Sequence, residues 1–259
     1  GFARDDDWAP GNTRPPQAPL VLARNVDAGI AVIVERATSG ERLASDDIVR
    51  LFAARDADYR HVTQAADALR RAVSGDVVRY VVNRNINYTN ICYFRCKFCA
   101  FSKGRMHEDL RGSPYDLAIE EITRRSIEAW DRGATEVCLQ GGIHPDYTGA
   151  TYEVICRAIK AAVPEMHIHA FSALEVTQGA ATLGLTVCEF LIRLKAAGLG
   201  TLPGTAAEIL DDDVRAIICP DKINTGQWLD VQRAAHQAGL RTTSTIMYGH
   251  MEEPKHWAR

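Results

Sequence analysis

From residue 77 onward the chain alternates short strands with amphipathic helices, and nothing else in the sequence limits the fold as tightly. The strand-like segments are "VRYVVNRNINYT" (78–89), "EVCLQ" (136–140), "HIHAFS" (167–172), "LGTLP" (199–203) and "RTTSTIMYG" (241–249). Helical spacing of apolar residues fills the gaps between them. One helix is expected from Pro114 to Arg132, with Ser113 as its N-cap and Gly133 as its stop. A second lies near "YEVICRAIKAAV" (152–163), stopped by Pro164, and a third opens at Thr186 and closes at Gly198. Two more follow, "TAAEILDDDVRAI" (205–217) and "TGQWLDVQRAAHQAG" (225–239). Alternation of this kind implies right-handed crossovers and a parallel sheet.

The strands are polar on one face. Asn83, Asn85 and Asn87 share a face by the two-residue period, as do His167 and His169, and Thr243 and Thr245. A sheet covered by helices on both sides carries near-continuous apolar strands, so a barrel with a polar, ligand-holding lumen accounts for the pattern better. Eight strands close such a barrel and five are legible here. The expectation is an α/β fold, a (β/α) TIM-like barrel over residues 77–259, truncated at its C-terminus. A helical N-terminal extension over residues 25–76 precedes it, with Gly75 ending its last helix and Ser45, Asp46 and Asp47 opening its second. Residues 1–24 read as a linker, since four of the ten prolines fall within the first 20 residues.

Charge and hydropathy exclude several functions. A net charge of -3 argues against a dedicated nucleic-acid surface. No apolar run approaches the ~20 residues that span a bilayer, and the acidic "GFARDDDWAPG" is unlike a secretory signal. A cytoplasmic setting follows as an expectation, and there clustered cysteines serve as metal ligands or catalysts rather than disulfides.

Three of the seven cysteines fall in "CYFRCKFC", a C-x3-C-x2-C run directly after the first strand. Thiolates of Cys92, Cys96 and Cys99 suit a 4Fe-4S cluster, and three ligands leave one iron open to a small chelate. A structural zinc site needs four closed ligands and a ferredoxin-like carrier a fourth cysteine, and neither is spaced for here. Cys138, Cys156, Cys188 and Cys219 stand singly among apolar neighbours and read as small core residues.

At this loop the chain resembles the radical S-adenosylmethionine (SAM) superfamily, which implies SAM as the chelating cofactor. The resemblance puts Phe98, just before the third cysteine, near the adenine. It puts Gly141 and Gly142 of "LQGG" against the SAM amino group, where a missing Cβ would let a ligand approach the backbone. Residues 40–259 resemble one subgroup through "GDVVRYVVNRNINYTNIC", "CKFCAF", "LQGGIHPD", "HIHAFSALE", "LPGTAAEILDDDVR", "ICPDKI" and "TTSTIMYGH". These stretches look like the 4-hydroxybenzyl-transferring (CofH-type) half of FO synthase, from biosynthesis of coenzyme F-420. The futalosine enzymes of menaquinone synthesis are close relatives, but the cyclase carries "PGGGAEIL" where this chain has "PGTAAEIL".

The resemblance implies a radical transferase. A 5'-deoxyadenosyl radical takes a hydrogen atom from L-tyrosine, Cα–Cβ scission follows, and the 4-hydroxybenzyl group joins 5-amino-6-(D-ribitylamino)uracil. It also implies a reductant such as ferredoxin or flavodoxin, and a second radical SAM unit of the CofG type, fused N-terminally in actinobacteria.

Ser172 and Glu175 follow the third strand, where barrel sites gather, and are candidates for contact with SAM. Glu208 is three residues after Thr205, so capping a helix and contacting substrate or SAM are both open. Asn85 and Asn87 are candidates to bind the uracil or ribityl hydroxyls, or one another. His144 and His169 could move protons, although a buried, hydrogen-bonded histidine is the commoner case. Arg193 reads as surface, and Tyr248, Gly249 and His250 are expected at the barrel rim.

Overall fold

The computed structural model describes residues 25–94, 96–100 and 113–259, so the linker expected at 1–24 lies outside the described residues. The described residues divide at Val77 and Val78 into two compact units. The first holds α1 (Ala28–Thr38), α2 (Ser45–Phe52) and α3 (Asp56–Ser74). Asp27 caps α1 by accepting from the Gly29 and Ile30 N–H groups, and Ile30 and Val34 pack with Ala54. By its sequence, "SDDIVRLFAARDAD" (45–58) reads as one continuous second helix. It stops at Phe52, because the Arg55 guanidinium takes the Phe52 and Ala54 carbonyls. Gly75 ends α3 at φ 66°, the left-handed stop a glycine supplies.

The second unit runs β1 (Asn83–Asn87), α4 (Ile119–Asp131), β2 (Glu136–Gln140), α5 (Gly149–Ala162), β3 (His167–Ala170), α6 (Ala173–Thr182), α7 (Val187–Ala196), β4 (Thr201–Leu202), α8 (Asp212–Ile218), α9 (Thr225–Gln237) and β5 (Arg241–Thr242). The strands are parallel and stand side by side in chain order, β1-β2-β3-β4-β5. Ile86, Val137, Leu139, Ile168, Ala170 and Leu202 point to one face, are fully buried and join the helices in one core. The alternate residues Asn85, Cys138, Gln140, His169 and Thr201 point to the other face. The expected polar inner face and apolar outer face are therefore present.

The element ends differ from the expectations, each for a physical reason. The helix expected from Pro114 starts at Ile119, with Ala118 and not Ser113 as its N-cap. Residues 113–117 are held instead by the chain after β1. Tyr115 N–H donates to Asn90 Oδ1 (2.8 Å), Leu117 N–H to the Tyr88 carbonyl (2.8 Å), and Thr89 bridges Asp116. Helix α6 was not foreseen, because its capping box, Ser172 with Glu175, follows β3 without a loop. The expected helix from Thr205 begins only at Asp212, since Ala206 (φ 64°) and Glu208 (φ 53°) are left-handed. All the strands but the second are shorter than expected, and Tyr248, Gly249 and His250 lie beyond β5 in no strand.

Candidate active site

One cavity of about 440 Å³ opens beside the C-terminal ends of the strands, and every residue singled out from the sequence as a ligand lines it. Cys92, Cys96 and Cys99 stand on its wall with Phe98. Gly141 and Gly142 enter after β2, Ser172 and Glu175 after β3, Glu208 after β4, and Asn85 and Asn87 from β1 itself. Segments up to 123 residues apart in sequence meet because parallel strands deliver all their following loops to one edge.

The chain packs closely against both glycines. A Cβ on Gly142 would lie 2.2 Å from the Ile91 carbonyl oxygen and 2.9 Å from Cys92 Cβ, and one on Gly141 would lie 2.3 Å from the Tyr88 ring. The chain's own atoms fill the space a side chain would take, Ile91 and Cys92 at Gly142 and Tyr88 at Gly141, while both glycines keep backbone on the cavity wall. Gly142 N–H donates to the Thr89 carbonyl (2.9 Å), which ties the two loops together.

Glu175 is fully buried and locks the same corner. Its carboxylate accepts from Ser172 N–H (2.6 Å), from Gly141 N–H (3.2 Å) and from the Tyr88 hydroxyl. Burial pushes this carboxyl up, and the bonds from Ser172, Tyr88 and Gly141 act against the rise. Burial, with the Glu175 charge beside it, also drives the Tyr88 phenol well above its usual value, so it stays a donor. Ser172 caps α6, its hydroxyl accepting from Glu175 N–H (3.3 Å).

On the opposite wall Lys222 Nζ donates to Glu208 Oε1 (2.7 Å) and sits 5.4 Å from the centre of the Phe98 ring. Burial lowers the Lys222 ammonium, but the charge and hydrogen bond of Glu208, with Cys96 and Cys219 beside it, together outweigh that and leave the group above its usual range. Lys222 was missed from the sequence. Its one signal was "CPDK", a turn between two helices that faces the loop carrying Glu208. Thr205, also missed in this role, lines the cavity with a buried hydroxyl that has no hydrogen-bond partner. Glu208 does not cap a helix.

Arg215 explains the shape of this wall. It is 3% exposed, and its guanidinium donates to the carbonyls of Ala206, Ala207, Ile209 and Ile223. One buried side chain thereby fastens the loop bearing Glu208 to the loop bearing Lys222. Lys97 N–H reaches the Ile218 carbonyl (2.9 Å), and Cys96 and Phe98 pack on Ile209, Val214, Ile218 and Cys219. Helix α8 is the platform on which the cysteine loop rests. Burial pushes the Cys96 thiol up to about 11, with Lys222 pulling the other way. A metal that takes the thiolate must overcome that preference.

Other candidates fall elsewhere. His144 accepts from Asp146 N–H (3.1 Å) and stacks on Tyr147, a buried structural histidine. Arg193 pairs with Glu153 (2.7 Å), which is 3% exposed, so it ties helices rather than sitting loose at the surface. Tyr248, Gly249 and His250 are absent from the cavity lining, and His250 pairs with Glu252 (3.1 Å). Cys156 and Cys219 are buried as expected, whereas Cys138 is half-buried on the inner face. None of the seven cysteines is paired in a disulfide. Among the described residues no three His, Cys, Asp or Glu side chains are already gathered as a metal-ligand set. No helix of the described residues is long and apolar enough to cross a membrane.

A sequence profile of the Radical SAM superfamily matches residues 86–259. The chain is 43% identical to FO synthase of Streptomyces avermitilis over 264 aligned residues, covering 99% of this chain and 30% of that protein. It is 44% identical over 232 residues to the 5-amino-6-(D-ribitylamino)uracil–L-tyrosine 4-hydroxyphenyl transferase of Methanothermobacter thermautotrophicus, covering 90% of this chain and 62% of that one. The chain thus spans less than two thirds of either relative. Among solved structures, the FeFe-hydrogenase maturase HydG of Carboxydothermus hydrogenoformans superposes with a TM-score of 0.66 at 21% identity, over 88% of this chain and 50% of that one. That likeness shows the shared fold.

Proposed function

Because the chain belongs to the radical SAM superfamily, we propose that it joins the 4-hydroxybenzyl group of L-tyrosine to 5-amino-6-(D-ribitylamino)uracil, a step toward FO, the precursor of coenzyme F-420. The cofactors of the superfamily are a 4Fe-4S cluster and S-adenosylmethionine. Together they supply a primary carbon radical able to take a hydrogen atom from an unactivated position. The observation that carries the reading is the single cavity uniting three cysteines with polar side chains from four strand ends.

The residues fit both cofactors and substrate. Cys92, Cys96 and Cys99 would hold the cluster, leaving one iron for the amino acid part of SAM. Phe98 and the backbone at Gly141–Gly142 would flank SAM, with Ser172 and Glu175 keeping that backbone in place. Asn85, Asn87, Glu208 and the partnerless Thr205 hydroxyl offer amide, carboxylate and hydroxyl groups to a hydroxyl-rich heteroaromatic ligand. A site built to pair with such groups rejects analogues that lack them. The transferase and FO synthase relatives support this substrate over a futalosine-pathway one. The reading also calls for a cytoplasmic setting, a donor such as ferredoxin or flavodoxin, and a second radical SAM unit to finish the deazaflavin ring.

Anaerobic turnover with tyrosine and the ribityl-uracil tests it, following methionine, 5'-deoxyadenosine and the hydroxybenzyl adduct together. Ala at Cys92, Cys96 or Cys99 is expected to abolish iron–sulfur absorbance and SAM cleavage, and Cys156→Ala to keep both. An adduct with a menaquinone-pathway substrate, and none with the ribityl-uracil, would move the chain to the sister branch.

A further inference from the structure

Below the cavity the inner face of the sheet carries polar side chains in rows. Asn85, Cys138, His169 and Thr201 are register partners across β1–β4, and Asn83, Glu136 and His167 form the row beneath. Asn85 lines the cavity, so its row is the first below the ligand space. Within these rows one hydroxyl joins two imidazoles: Thr201 Oγ1 lies 2.7 Å from His169 Nδ1 and 2.8 Å from His167 Nε2. A hydroxyl has one proton to give, so it donates to one ring and accepts from the other. Beyond His167, Glu136 Oε2 is 3.8 Å from Nε2, and its other oxygen accepts from Asn83 Nδ2 (3.3 Å).

We infer that His169, Thr201, His167 and Glu136 form a proton relay that carries a substrate proton from the cavity to the lower rim of the sheet. The inference rests on the transferase reading. An N–H or O–H bond of the bound substrate breaks, its electron pair stays on the substrate, and the proton forms a bond to His169 Nε2. His169 Nδ1–H then passes its proton to Thr201 Oγ1, and the original Thr201 proton moves to His167 Nε2. The net change is one proton lost by substrate and one gained by His167, with no electron transferred. His167 is the natural terminus, since its side chain is 41% exposed and faces the Glu136 carboxylate.

The charges around the relay agree with that direction. Burial lowers the His169 imidazole below its usual range, with Glu136 opposing and the neighbouring His167 adding to the fall, so the proton does not rest there. The other titratable groups facing it are Cys138 on β2 and Arg241 on β5, the register partner of Thr201.

Thr201→Val keeps the shape and removes the hydroxyl, and Thr201→Ser restores it. In the full-length holoenzyme, Thr201→Val is expected to lower adduct formed per 5'-deoxyadenosine on the order of 10²-fold at neutral pH. The loss should shrink as pH rises, SAM cleavage and iron–sulfur absorbance should be unchanged, and Thr201→Ser should recover most of the ratio. A Thr201→Val enzyme with the wild-type ratio and pH profile overturns the relay, as do equal losses in both variants. Absence of adduct in the wild type would count against the transferase reading instead. The relay then stands or falls on nitrogen NMR of labelled histidines, where coupled titration of His167 and His169, lost in Thr201→Val, supports it and independent titration sinks it.

Discussion

Gly142 shows how one missing carbon organises the site. Its Cβ position is filled by the Ile91 carbonyl, a backbone atom that cannot swing aside. Gly142→Ala is therefore expected to displace the cysteine loop, costing about 1–3 kcal/mol and lowering the iron bound after reconstitution. Gly226→Ala is the control, because its Cβ would meet only Asn224 Oδ1 at 3.4 Å, within a helix where Ala is favoured. Equal iron content in the two variants would refute this placement. Lys222 gives a second test. Removing one partner of a nearly buried pair strands the other charge, so Lys222→Met should destabilise by about 3 kcal/mol in denaturant titration. Adding Glu208→Gln should recover much of that loss, and a double variant no better than the single one would mean that packing, not charge, was lost. The cysteines, glycines and polar strand residues were all legible in the sequence, because the spacing of ligands and the two-residue strand period are local properties. Lys222, Thr205 and Arg215 were not, because their roles arise only when separate loops meet.

At the scale of elements, α8 was misread for a related reason. Thr205 and Glu208 have the spacing of a capping box, but Arg215 takes the carbonyls that a helix there would need and holds Ala206 and Glu208 left-handed. The helix then starts at Asp212, after the N-cap Asp211, whose side chain accepts from Val214 N–H and pairs with Arg259. Burial raises the Asp211 carboxyl, but that bond and the Arg259 charge outweigh it and hold the group below its usual 3.8. A depressed carboxyl pKa adds stability that is whole above the unfolded value and drains away as pH falls through the folded one. Asp211→Asn should therefore be less stable than the parent at neutral pH, with the gap closing below about pH 3.8. A gap independent of pH in thermal melts would refute the charge argument and leave only the cap. Helix α6 was missed for the opposite reason. Its two capping residues were read only as candidate ligands, and here Ser172 and Glu175 do the capping while lining the cavity.

Across the second unit, sequential strand order left little freedom once five strand–helix repeats were recognised, which is why the fold was readable before its details. The strand ends were not readable, because parallel pairing in β4 and β5 is only two residues long and the flanking polar residues bond to loops instead. Thr243 Oγ1 accepts from Gly204 N–H (2.9 Å) and Thr245 Oγ1 donates to the Gly204 carbonyl (2.9 Å), so both hydroxyls are fixed by one loop.

Among the described residues, β1 pairs with β2 alone, and the segment leading into it exposes Val78, Tyr80, Val81 and Val82. An apolar segment entering an unpaired strand edge is a template for stacking chain on chain. Prepared as these residues alone, the protein should form sheet-like aggregates that bind amyloid dyes, with onset falling to lower concentration as salt is raised. Val78→Lys with Val81→Lys should push that onset upward without altering the cavity, and an onset indifferent to both charges would place the sticky surface elsewhere.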